Sequence, residues 1–216
     1  MNKNEKFVIT INRELGSGGR TVGRKLAEKL GVDFFDKAVI KGLQEKYGLS
    51  AKEIERAKGN SHSWWSQFKR VMNFGGYEST AAFYDPEKGY HEMLEAKTML
   101  KDEAEILQAI ADEESCVVAG RSGFYVFREH PNHLSILIQA SLPYRLERVM
   151  RKQNMSEEEA LKTIDLIDRM RENYVKAGTK SSRYDTRNYQ LVISMDGLSE
   201  DDAVEIIMDY ISRTGK

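Results

Sequence analysis

The sequence predicts an α/β fold: about five parallel strands in one sheet, covered by helices on both faces in three layers. Short apolar runs at residues 7–11, 32–35, 116–119, 134–140 and 191–195 alternate with helical patterns at 21–30, 37–47, 90–112, 143–153, 156–177 and 200–212. Near-continuous apolar character suits strands buried on both faces, and intervening helices are what parallel neighbours require as crossovers. The glycine-rich stretch GSGG at residues 16–19 stands directly after the first run, where a strand must turn into a helix. A chain of 216 residues is long enough for one such domain with a small appendage.

The first strand passes through NRELGSGGR (residues 12–20) into an amphipathic helix. A strand, a tight turn and a helix start aim backbone N–H groups and the positive helix end at one spot, which suits a phosphate. Gly16, Gly18 and Gly19 let the backbone close around an anion because no Cβ stands in the way. Against the pattern G-x-x-x-x-G-K-[ST], Gly18 is the second glycine, which puts Arg13 at the first glycine and Gly19 at the lysine. Arg20 is then the nearest cation, and Thr21 is the hydroxyl residue one place late. On this frame Gly16, Ser17, Gly18, Gly19, Arg20 and Thr21 bind phosphate, with Thr21 near Mg²⁺. Two other readings stay open. Gly16-x-Gly18 with Asp36 some twenty residues on fits a dinucleotide site in part, although Thr21 occupies the third glycine position. A plain tight connection is the other.

The second strand ends at Asp36-Lys37 and the third at Gly120-Arg121. Right-handed crossovers put the carboxyl ends of all strands on one edge, so these pairs converge with the glycine loop. Arg121 could grip an acceptor phosphate with its planar fork, or form a salt bridge. Asp36 could orient an acceptor hydroxyl or N-cap the helix beginning at Lys37; the two roles are compatible.

Residues 48–90 break the alternation. A short helix over 50–58 precedes a run of aromatics, Trp64, Trp65, Phe68, Phe74, Tyr77, Phe83, Tyr84 and Tyr90. These either build a small core of their own or stack on an acceptor ring, with Gly75-Gly76 as a hinge. The expected division is a single domain over 1–216, a helical acceptor-binding insert over 48–110 and an arginine-rich lid over 168–187. The last contains Arg169, Arg171 and Arg183, with Gly178-Thr179 and Ser181-Ser182 as a flexible tip; a solvated charged face is the plainer alternative. An aromatic insert would also make a homodimer surface.

The bulk properties exclude several classes. A net charge of −1 supplies no basic field for nucleic acid. One cysteine, Cys116, permits no intrachain disulfide, and it reads as a buried strand residue. His62, His91, His130 and His133 lack metal-ligand spacing and read as surface residues. The charged N-terminus running into a strand is no signal peptide, and no apolar run approaches a membrane span, so a cytoplasmic location is expected.

In the order of its parts the chain resembles the P-loop nucleoside monophosphate kinases, and most of all the cytidylate kinase-like family. The resemblance lies in NRELGSGGR (12–20), FFDK (34–37), VVAGR (117–121), DRMR (168–171) and YQLVIS (189–194). It implies ATP and Mg²⁺ as cosubstrate and cofactor, and transfer of a phosphoryl group to a small phosphate-bearing acceptor, for instance a nucleoside monophosphate such as CMP. It implies catalytic or charge-stabilising roles for Arg20, Arg121 and Arg171, acceptor contacts from Asp36, Lys37 and Arg121, and lid contacts from Arg169, Arg171 and Arg183. The chain departs from cytidylate kinases in lacking the loop lysine, and in Ser122, which stands where they carry a sugar-recognising aspartate. Two rivals follow: a nucleotide-binding regulator that kept the cradle without the turnover, and an NAD(P)-dependent oxidoreductase with Asp36 on the ribose.

Overall fold

The computed structural model describes residues 1–36 and 96–215. Within them the chain runs β1 (Val8–Arg13), α1 (Gly19–Leu30), β2 (Asp33–Asp36), α2 (Ala96–Glu113), β3 (Cys116–Ala119), α3 (Gly123–Val126), β4 (His133–Gln139), α4 (Leu142–Gln153), α5 (Glu157–Thr179), a 3₁₀ turn (Thr186–Asn188), β5 (Leu191–Ser194) and α6 (Glu200–Thr214). The expected helices over 37–47 and 50–58, Lys37 itself and the aromatic run of residues 64–90 lie outside the described residues.

The five strands form one sheet in the order β2-β3-β1-β4-β5, every pairing parallel. Strand β1 sits at the centre because both its faces are buried: Ile9 and Ile11 face one way, Val8 the other. On the first side α1 (Val22, Leu26, Ala27) and α6 (Ala203, Val204, Ile207, Ile211) cover Ile9, Ile11, Ile136, Ile138 and Ile193. On the second, α2 presses Ile106, Leu107 and Ile110 onto Val8, Phe35 and Val118. Part of the segment expected as acceptor insert, from Ala96 onward, is thus a helix of the main core.

Local chemistry sets the helix limits. Helix α1 opens on Gly18 (φ +85°) and closes on Gly31 (φ +68°), whose N–H returns to Ala27 and Glu28 carbonyls. Ser156 with Glu159, and Ser199 with Asp202, make reciprocal capping boxes for α5 and α6. Three acidic residues in each of those first turns complement the helix dipole.

Several expectations need correction. The dinucleotide-binding order 3-2-1-4-5-6 puts the second strand beside the first. Here β3 lies between them, which removes the oxidoreductase rival's topology. The tip expected to be flexible is built otherwise: Gly178 and Thr179 belong to the continuous α5, which ends at Lys180 in the left-handed region. His133 is a strand residue, not a surface one. It opens β4 and its Nε2 lies 2.7 Å from the Thr10 hydroxyl; burial, then the neighbouring His130, push its pKa down to about 4. Helix α3 has no counterpart in the periodicity, being a single turn entered through Gly120, Arg121 and Ser122, all at positive φ. Cys116 is buried in β3 as expected, and burial pushes its thiol up to about 12.

Candidate phosphate-binding site

The glycine loop leaves the carboxyl end of β1, beside the carboxyl end of β4. The connections of these two strands depart in opposite directions, β1 toward β2 and β4 toward β5, so a crevice opens between them. Gly16 (φ +84°) and Gly18 (φ +85°) take the left-handed conformations that turn the chain back into α1. A Cβ on Gly16 would lie 2.7 Å from the Arg145 carbonyl oxygen. The N–H groups of Gly16, Gly18, Gly19 and Thr21 find no acceptor among the described residues, which leaves them for a ligand.

Ser17, expected among the phosphate ligands, turns its hydroxyl inward. It is fully buried and donates to the carbonyls of Glu14 (3.0 Å) and Ile138 (3.2 Å), so it pins the loop to β4. Glu14 fastens the same corner: its backbone N–H donates to Ile138 and its carboxylate accepts from the Ala140 N–H.

Asp168, on α5, ties the site together. Its Oδ1 accepts from the Leu15 N–H at 3.0 Å and lies 3.5 Å from Arg183 Nη1 and 3.6 Å from Arg171 Nη1. Its Oδ2 accepts from Arg145 Nη1 at 2.6 Å. Arg171 and Arg183 in turn both donate to the Arg13 carbonyl oxygen. Arg183 is fully buried; its backbone N–H donates to Glu172, and its carbonyl accepts from Tyr189, whose hydroxyl burial pushes up to about 12. Two arginines of the expected lid are therefore already seated on the loop. Arg169, the third, points outward to Asp165.

The other predicted cations have committed partners. Arg20 pairs through Nε with Asp36 at 2.5 Å, Asp36 being almost fully buried at the end of β2. Arg121 pairs with the buried Glu103 of α2 and lies over the Tyr174 ring, whose hydroxyl donates to the same carboxylate. Thr21 accepts a long 3.5 Å bond from Arg148 Nη2 at the opening of α1.

Periodicity alone missed three residues. Arg145 and Arg148 are one helical step apart on α4 and bracket the loop, Arg148 anchored on Glu200 at 2.5 Å with its guanidinium against Gly18. An i,i+3 arginine pair on the helix after a central strand was the available signal. The third is Arg13, whose side chain crosses Gly19 and ends against Gly120. Burial, then Arg171 and Arg183, hold its guanidinium pKa well below the usual arginine value, with Asp36 opposing. Arg171 is pushed down to about 10 by burial and Arg183, so it stays charged at neutral pH.

A sequence profile of the cytidylate kinase-like family matches residues 8–197, which contain all five strands of the sheet. The chain belongs to this family. A cytidylate kinase of Thermotoga sp. (strain RQ2) is 34% identical over 159 residues, covering 68% of this chain and 70% of that protein. A uronate isomerase of Corynebacterium glutamicum is 30% identical over 118 residues, but the chain spans only 22% of its length. Among solved structures, an uncharacterized protein from Eubacterium ventriosum ATCC 27560 superposes with a TM-score of 0.62 at 22% identity, covering 95% of this chain and 98% of that one; at that identity the likeness concerns the fold. The family is a kinase-like one, and its kinases are nucleotide phosphotransferases. No helix among the described residues is long and apolar enough to cross a membrane.

Proposed function

We propose that this protein transfers the γ-phosphoryl group of ATP to a small phosphate-bearing acceptor, a nucleoside monophosphate such as CMP being the first candidate. One observation carries the reading. Loop N–H groups without an acceptor lie next to Arg13, whose carbonyl takes hydrogen bonds from Arg171 and Arg183, with Asp168 as the carboxylate both of these face. Positive charge gathered beside open backbone N–H groups favours an anion, and phosphoryl transfer needs such an arrangement to hold charge as it spreads over the transferred group.

In this scheme the loop amides and Arg13 hold the donor phosphates, and Arg171 and Arg183 approach the transferred group from α5 and the segment after it. Thr21 is the hydroxyl that would hold Mg²⁺: its oxygen keeps a lone pair beside the long bond from Arg148. Bound there, the ion would neutralise phosphate oxygens, most of its ligands being water and phosphate rather than protein. Acceptor contacts are assigned to Asp36, Lys37 and Arg121 at the strand ends, with a helical acceptor-binding insert over 48–110, the lid over 168–187 and all of 1–216 as one domain. A cytoplasmic location and a homodimer built on the aromatic insert complete the reading.

The pairing of a nearly buried Arg121 with Glu103 favours a second reading: a nucleotide-binding regulator without turnover. The test measures ADP formation from ATP and Mg²⁺ across a panel of nucleoside monophosphates and small phosphorylated metabolites, beside ATP binding by calorimetry. Acceptor-dependent ADP formation establishes the kinase and names its acceptor. ATP binding without turnover on any acceptor selects the regulator.

A further inference from the structure

Among the arginines around the glycine loop, Arg13 stands apart. Arg20 is paired with Asp36, Arg121 with Glu103, Arg145 with Glu14 and Asp168, Arg148 with Glu200, and Arg171 and Arg183 with Asp168. Among the described residues the Arg13 guanidinium makes no hydrogen bond or ion pair, although burial, Arg171 and Arg183 oppose its charge and only the more distant Asp36 favours it. Its path is also defined. A Cβ on Gly19 would lie 2.6 Å from Arg13 Cβ and 3.2 Å from Cγ, and a Cβ on Gly120 would collide with Nη1. The side chain therefore lies across the first turn of α1, with its tip at the exit of β3.

We infer that Arg13 and Gly19 have exchanged roles relative to the ordinary phosphate loop, and that Arg13 supplies the phosphate-binding cation which a lysine at position 19 would otherwise supply. This rests on the phosphate-loop reading above. In the frame that puts Gly18 at the second glycine, the ordinary pattern has glycine at 13 and lysine at 19; this chain has arginine at 13 and glycine at 19. The structure gives the reason the two changes come together. The volume a side chain at 19 would enter is filled by Arg13, so each residue permits the other. A cation carried by the strand end instead of the helix reaches the same mouth of the loop. A guanidinium there offers two parallel donors to one phosphate, where an ammonium offers a point charge. The adjacent Arg171 and Arg183 disfavour the Arg13 charge, and a bound polyphosphate would offset that.

The test compares the full chain with Arg13→Met, Arg13→Gly, Arg20→Met, Arg24→Met (an exposed charge control) and the restoring double variant Arg13→Gly/Gly19→Lys. The readouts are melting temperature without ligand and the Kd for MgATP and for inorganic tripolyphosphate by calorimetry. Arg13→Met is expected to weaken both ligands about tenfold to a hundredfold, the scale of one charge-assisted phosphate contact, without lowering the ligand-free melting temperature. Arg20→Met loses less than Arg13→Met. Arg13→Gly/Gly19→Lys binds more tightly than Arg13→Gly alone, which shows the exchange even should the methionine variant fold poorly. Parent-like affinity in Arg13→Met, a larger loss in Arg20→Met, or no recovery in the double variant overturns the inference while leaving the phosphate loop intact. Absence of any polyphosphate binding by the unmodified protein overturns the loop reading itself and the exchange with it.

Discussion

Replacing Asp168 with asparagine tests the idea that one carboxylate holds loop and arginines together. The substitution keeps an acceptor for the Leu15 N–H, so it removes charge rather than shape. Left behind are Arg145, with side-chain exposure of 12%, and Arg183, at 1%, each facing a neutral amide. Breaking one side of a buried ion network costs about 3–5 kcal/mol, because the remaining charges stay out of water without compensation. Arg145 retains Glu14 at 3.7 Å, which places the loss toward the lower end, about 3 kcal/mol. For a domain of this size each kcal/mol moves the melting temperature by about 2–4 °C, so a fall of about 6–12 °C is expected by calorimetry at neutral pH. The control is Asp165→Asn, which breaks an ion pair whose members are 60% and 68% exposed. Such pairs are worth under about 1 kcal/mol, so the control should melt within a few degrees of the parent. Should Asp168→Asn melt no lower than Asp165→Asn, the loop and its arginines do not depend on this carboxylate.

Gly16→Ala should destabilise by at least about 1–2 kcal/mol from the left-handed backbone alone, with a further loss from the 2.7 Å approach to the Arg145 carbonyl; chemical denaturation reads the stability and ATP calorimetry reads the deformed cradle. Ser156→Ala removes the α5 capping box and should cost about 1 kcal/mol, seen as a small drop in melting temperature with ATP affinity retained. His133 makes stability depend on acid. Its folded pKa of about 4 lies below the ordinary 6.5, so the unfolded chain takes up the proton first. Its contribution is complete above pH 6.5, falls as the pH drops from there toward 4, and levels off below. His133→Gln should flatten the stability curve across that window relative to the parent; parallel curves would show that the ring does not titrate this way.

The strands were legible because each is a short apolar run: 116–119, buried on both faces, and 191–194, at the sheet edge, coincide with the expected runs to within a residue. The glycine loop was legible because its signal is local and steric, as was the boundary at Ser156. Helix α3 was not, since four residues carry no period, and three consecutive positive φ values at Gly120, Arg121 and Ser122 depend on packing around Gly123, where a Cβ would meet Thr10 Cγ2 at 2.8 Å. His133 looked like a loop residue beside Pro131 because its enclosure comes from Thr10 and Phe127, over a hundred positions away in the first case.

By itself the sequence determined the alternation of strands and helices, their parallel arrangement and the place of the glycine loop, because these follow from periodicity and from backbone freedoms encoded within a few residues. Only the tertiary structure decided which cations lie beside that loop. Arg20 opens α1 and Arg121 follows β3, yet their partners Asp36 and Glu103 come from other elements and hold them. Arg13, Arg145, Arg148 and Arg183 acquire their positions from α4, α5 and the β3 turn. A guanidinium is long and flexible, and its direction is set by the carboxylates and open space that the fold brings to it, which linear spacing does not encode.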